Sequence, residues 1–122
     1  MERARFLRLV RRALEGLPPE YRARLENVDV VVRPRMTAAE RRDAGLAPGE
    51  ELYGLYQGIP LTERTSDYGL VLPDVITIYQ QPLEEDFPDE RDLVREIQVT
   101  VMHEIAHFFG IDDERLEALG LD

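Results

Sequence analysis

Both histidines of the chain fall within five residues, His103-Glu104-Ile105-Ala106-His107, with a glutamate directly after the first. Imidazoles at i and i+4 of an α-helix lie one turn apart on the same face, so both rings can reach one zinc ion at about 2.0–2.1 Å. Glu104 occupies the adjacent sector of the helix, too close to His103 to be a natural third ligand yet within reach of a water on the metal. It therefore reads as a general base. The expected chemistry is hydrolysis by a metal-activated water: Glu104 removes its proton, the hydroxide attacks a polarised carbonyl, and the proton passes to the leaving amine. Zn2+ is the expected cofactor. With no cysteine in the chain, every ligand must be imidazole, carboxylate, carbonyl or water.

A helix must carry these residues, and the surrounding sequence is patterned for one. Leu93, Ile97, Val101, Ile105 and Phe108 or Phe109 repeat with helical period on a stripe away from the histidines, which predicts a half-buried helix. Pro88, Asp89 and Glu90 supply its start, and Gly110 can take the left-handed conformation that ends it. Asp113 stands three residues beyond that turn.

The full string His103-Glu104-x-x-His107-x-x-Gly110-x-x-Asp113 resembles the elongated motif of the zincin metallopeptidases, in which a glycine turn brings a third ligand back to the metal. Aspartate in that third place resembles the variant of some small bacterial zincins. Gly54-Leu55-Tyr56-Gln57-Gly58-Ile59-Pro60-Leu61-Thr62-Glu63-Arg64 and Asp113-Glu114-Arg115-Leu116-Glu117-Ala118-Leu119-Gly120 extend the likeness to short bacterial zincin-like metallopeptidases. The resemblance implies a minimal zincin-like α+β fold, with a small mixed sheet packed beside the active-site helix. It also implies peptide-bond hydrolysis on a peptide or extended protein segment, with His103, His107 and Asp113 as metal ligands and Glu104 as the catalytic residue. Only nine residues follow Asp113, which leaves no room for the methionine turn of the metzincins proper. Asp113 also suits the N-cap of a last helix, Glu114 to Leu119, so Asp112 and Glu117 stay open as alternative ligands. A carboxylate on the metal weakens its Lewis acidity relative to three histidines, so a slow or specialised peptidase is expected.

Length and charge set the frame. A chain of 122 residues is expected to form one domain, residues 1–122, large enough for a core of its own. The Arg-rich start, Met1 to Phe6, lacks the apolar stretch and cleavage site of a signal peptide, and no apolar run nears the ~20 residues that span a bilayer. A cytoplasmic protein with no membrane partner is expected. The net charge of −10 is uneven, with eleven Arg against nine acids in residues 1–60 and four Arg against sixteen acids in residues 61–122. The acidic half holds the site, which favours cations and basic peptides there and disfavours nucleic acid.

The remaining segments alternate between helical and strand patterns. Phe6, Leu9, Val10, Ala13, Leu14 and Leu17 define a first helix that stops at Gly16 and Pro18, with Arg3, Arg5, Arg8, Arg11 and Arg12 on its solvated face. Pro19 to Leu25 predicts a second helix and Val28 to Val32 a strand. Thr37 with Glu40 forms a capping box for a brief helix ending at Gly45. Leu52 to Gln57 and Val75 to Tyr79 predict further strands. The loop from Gly58 to Gly69 between them is the candidate wall or flap of a cleft. Tyr53, Tyr56, Tyr68 and Tyr79 carry phenols suited to an oxyanion, but aromatic residues in strands commonly serve packing, and none is assigned a catalytic part. Other functional classes also fit the sequence. They are a catalytically weak or inactive zincin-like metal-binding protein that acts through a partner, a small interaction module using its acidic face, and an amidase.

Overall fold

The computed structural model describes residues 1–58 and 73–110. The first amphipathic pattern forms α1, Arg3–Glu15, which buries Phe6, Leu9, Val10 and Ala13, and a short α2, Pro19–Arg24, follows. Strand β1 spans Val28–Arg33, and α3, Ala38–Asp43, is capped by Thr37. Both arms of the capping box form: Glu40 N donates to Thr37 Oγ1 at 3.1 Å, and Thr37 N donates to Glu40 Oε1 at 3.0 Å. Among the described residues, strands β2, Gly54–Gln57, and β3, Asp74–Tyr79, form with β1 a three-stranded mixed sheet of order β1-β3-β2. β1 runs parallel to β3 with Val28 opposite Asp74, and β2 runs antiparallel to β3 with Tyr56 opposite Ile76.

Register assigns the two sheet faces. Side chains alternate along a strand, so Val28, Val30 and Val32 share one face with Ile76, Ile78, Gly54 and Tyr56. Helix α5, Glu90–Phe109, covers that face and packs in turn on α1. Phe6, Leu9, Val10, Val32, Ile76, Ile78, Leu93, Ile97, Val101 and Ile105 meet there as one buried cluster. Tyr79 points to the opposite face, where its hydroxyl donates to Glu40 of α3 at 2.6 Å.

Two features depart from the sequence expectation. Helix α4, Gln80–Asp86, begins without a loop at the end of β3 and buries Pro82 and Leu83. Its polar, short sequence has no apolar period to reveal it. Pro82 is tolerated because it sits in the first turn, where amides have no intrahelical acceptor. The second departure is at the end of α5. The buried stripe runs through Leu93, Ile97, Val101 and Ile105, each fully buried, but Phe108 and Phe109 are 47% and 42% exposed. Ala106 and Met102 take the remaining core contacts, and the Phe108 ring lies instead on Tyr56 of β2.

Charged groups link elements distant in sequence. Arg35 bonds Glu51 at 2.6 Å, Glu85 at 2.5 Å and Gln81 at 3.0 Å, while Arg41 reaches Glu51 at 2.8 Å. Arg5 on the solvated face of α1 pairs with Glu90 at the start of α5, joining the basic and acidic halves. Among the described residues no helix is long and apolar enough to cross a membrane.

Candidate metal centre

Local signals set the limits of the helix that carries the two histidines. Asp89 accepts from Arg91 N at 2.9 Å and Asp92 N at 3.3 Å, satisfying two of the amides that a helix start leaves unpaired. At the other end Gly110 adopts φ 70° and ψ 27°, a left-handed geometry that glycine takes without steric cost, and its N–H donates to Ala106.

Along one side of α5, Thr100, Glu104 and Phe108 form an i, i+4, i+8 row that meets Gly54, Tyr56 and Gly58 in the same order. A Cβ at Gly54 would stand 2.7 Å from Thr100 Cγ2, and one at Gly58 would stand 2.8 Å from the Phe108 ring. Four helical residues rise about 6 Å and two strand residues about 6.6 Å, so the two rows stay in step. Glycine on either side of Tyr56 lets the helix lie directly against the strand. This brings Glu104 to the backbone of β2, and Tyr56 N donates to Glu104 Oε1 at 2.9 Å.

That amide lies on the outer side of β2. Tyr79 N donates to Tyr53 O at 2.9 Å, which makes this a hydrogen-bonded pair. The alternation of antiparallel ladders then turns the N–H and C=O of Tyr56 away from β3. Among the described residues β2 is an edge strand. Its Tyr56 is held further by its hydroxyl, which donates to the buried Asp74 at 2.7 Å, and by its ring, which stacks on Phe108 with centroids 4.0 Å apart. Phe109 stands edge-on to Phe108 at 5.2 Å, and the Arg24 guanidinium lies 4.6 Å from the Phe109 ring centre.

His103 and His107 lie on the sector next to this row, half-buried and exposed respectively. Their rings are 6.2 Å apart between centroids, with 25° between planes. Two zinc–nitrogen bonds of about 2.0–2.1 Å plus the ring radii reach such a separation only near full extension, so a tetrahedral ion would draw the two rings slightly together. As a donor pair on an accessible helix face they fit a zinc ion in spacing and chemistry. Among the described residues no group of three or more His, Asp or Glu side chains is assembled to hold a metal. Asp113, Asp112 and Glu117 lie outside the described residues, as does all but the first residue of the Gly58 to Gly69 loop.

Burial pushes the Glu104 carboxyl above its ordinary value, against the opposing pull of the Tyr56 amide and the two histidines. The tyrosine phenols considered for an oxyanion have structural partners instead. Tyr53 donates to Asp86 at 2.5 Å, a bond that together with burial raises it to about 12, and Tyr79 is raised by burial and by its bond to Glu40. Tyr68 is outside the described residues. Sequence reasoning missed the Tyr56 amide and Asp74. The signal available was Gly54-x-x-x-Gly58 about a strand, since glycine inside a strand marks close approach of another element. A surface depression of about 940 Å3 lies at the other end of α5, lined by Arg5, Arg8, Arg12 and Arg91 among others, and takes no part in this arrangement.

The profile of a family described as "Zincin-like metallopeptidase" matches residues 25–121. Among solved structures, a conserved hypothetical protein from the bacterium T. thermophilus superposes with a TM-score of 0.54 at 24% identity, covering 98% of this chain and 97% of that one. The second likeness is one of fold. No curated protein matches the chain.

Proposed function

The chain belongs to the zincin-like metallopeptidase family, and from that premise we propose that it is a zinc-dependent peptidase with Glu104 as general base and His103, His107 and Asp113 as metal ligands. One observation carries the proposal: two imidazoles on one accessible helix face stand beside a carboxylate that burial makes more basic. Zinc held there would supply Lewis acidity to a substrate carbonyl and to the attacking water.

The protein's own groups have separable tasks. Glu104, whose Oε1 accepts the Tyr56 amide in this structure, is the carboxylate that would take a proton from water and return it to the leaving amine. Its raised proton affinity strengthens it as a base toward neutral pH. β2, an edge strand among the described residues, turns the backbone groups of Gly54 and Tyr56 outward, and an extended peptide would add to the sheet on that side, beside the histidines. Recognition through backbone pairing suits unfolded segments and short peptides, the proposed substrate class.

The test is calorimetric titration of the metal-stripped chain with zinc, beside His103→Ala and Asp113→Ala. One tight ion is expected, lost with the first change and weakened with the second. Cleavage of a mixed peptide library, read by mass spectrometry, is expected from the wild type and not from Glu104→Gln. Absence of zinc binding would overturn the proposal. Zinc binding with no cleavage above the Glu104→Gln background would favour the metal-binding scaffold.

A further inference from the structure

The general base and the edge strand share one backbone amide. Tyr56 N–H points outward from β2, where an added strand would seek it, and Glu104 Oε1 accepts it at 2.9 Å. Tyr56 is restrained on two other sides, by its hydroxyl on buried Asp74 and by its ring on Phe108. The glycines at 54 and 58 let α5 lie directly against β2, which keeps the two partners within reach of each other. A strand pairing at Tyr56 must take its N–H as well as its C=O, because the two groups of an outward-facing residue form one hydrogen-bonded pair.

We infer that the Tyr56 amide is a latch: it holds Glu104 in the absence of substrate, and an extended peptide that adds to β2 takes over the amide and releases the carboxylate for proton transfer. The inference rests on the peptidase reading and sharpens its substrate class. A peptide long enough to pair with both Gly54 and Tyr56 displaces Glu104 through its own backbone, whereas a dipeptide pairs too little and leaves the base held. Tyr56 acts here as a positioning residue, through its main chain, with Asp74 and Phe108 fixing its place. The latch therefore selects for backbone length and extension ahead of side-chain identity.

The test uses the full 15N-labelled chain, with and without zinc, as wild type, Glu104→Ala and Glu104→Gln. The probes are a blocked, uncharged Ala-Gly hexapeptide and the corresponding blocked dipeptide. In the wild type the Tyr56 amide proton is expected downfield and protected. In Glu104→Ala it should move upfield and exchange at least about tenfold faster, the loss of one charge-assisted hydrogen bond. Glu104→Gln, which keeps a neutral acceptor and the side-chain shape, should fall between and guards against a folding artefact in the alanine variant. The hexapeptide should bind Glu104→Ala about tenfold more tightly than the wild type, and the dipeptide should show no such gain. A Tyr56 amide indifferent to both substitutions, or a hexapeptide that binds wild type and Glu104→Ala alike or binds neither, would overturn the latch. These readouts need no turnover. Failure of zinc binding or cleavage with the amide and affinity changes intact would sink the peptidase reading alone.

Discussion

Replacing Gly54 with alanine should separate the site helix from the edge strand, and its cost follows from two distances. The new Cβ would stand 2.7 Å from Thr100 Cγ2 and 3.0 Å from the Thr77 carbonyl oxygen. The first neighbour is a methyl on a stiff β-branched side chain and the second is backbone, so neither gives way freely. Overpacking of this kind costs about 1–3 kcal/mol. Gly54 is not among the residues with positive φ. Its backbone therefore admits alanine, and a narrower unfolded ensemble returns about 0.4–1 kcal/mol. A net loss of about 1–2 kcal/mol is expected, roughly 3–6 °C in Tm per kcal/mol for a chain of this size. Urea unfolding followed by circular dichroism measures it. Thr100→Ser, which removes the clashing methyl, should restore at least half of the loss in the double variant, a coupling that independent sites would lack. Gly54→Ala as stable as wild type, or a double variant whose losses simply add, would refute the close approach that places Glu104 against β2.

Other expectations concern the ends of the site helix and the far face of the sheet. Asp89→Ala removes the acceptor of two amides at the start of α5 and should cost about 1 kcal/mol in chemical denaturation. Gly110→Ala forces a Cβ into left-handed backbone and should destabilise the chain by about 1–2 kcal/mol. If Asp113 completes the zinc site, calorimetry should show weaker zinc binding as well. Hydrogen bonds from Tyr79 and Thr37 lower the Glu40 carboxyl below its ordinary 4.5, so the stability it contributes is present above that value and is lost as pH falls through the folded-state value. Burial and the bond to Glu40 raise Tyr79 above its ordinary 10.0, so its contribution is full below pH 10 and is lost as pH rises further. Tyr79→Phe should therefore cost about 1–2 kcal/mol at pH 7 and flatten both limbs of a urea-midpoint profile against pH.

Much of the chain was legible because its signals are local. The Thr37–Glu40 box, the Asp89 cap, the Gly110 turn and the apolar period of α1 and α5 each lie within a few turns of chain, and each forms. The spacing of His103, Glu104 and His107 likewise needs only a helix to bring the side chains to one end of it. Helix α4 was not legible, because a short polar segment with a proline in its first turn carries no period. Phe108 and Phe109 were misread as buried because helical period says which residues share a face and not how much of that face other elements cover.

The sequence by itself thus carried the zincin-like likeness that the family match bears out, and it placed two imidazoles and a carboxylate at helical spacing, since residue type and i, i+4 spacing are properties of a single helix. Only the tertiary structure decided that β2 is an edge strand among the described residues, that Gly54 and Gly58 let it lie against α5, and that the Tyr56 amide meets Glu104. Those contacts join residues far apart in sequence, Tyr56 and Glu104 by 48 positions. They depend on strand order and register, which packing of the whole sheet selects and no local pattern encodes.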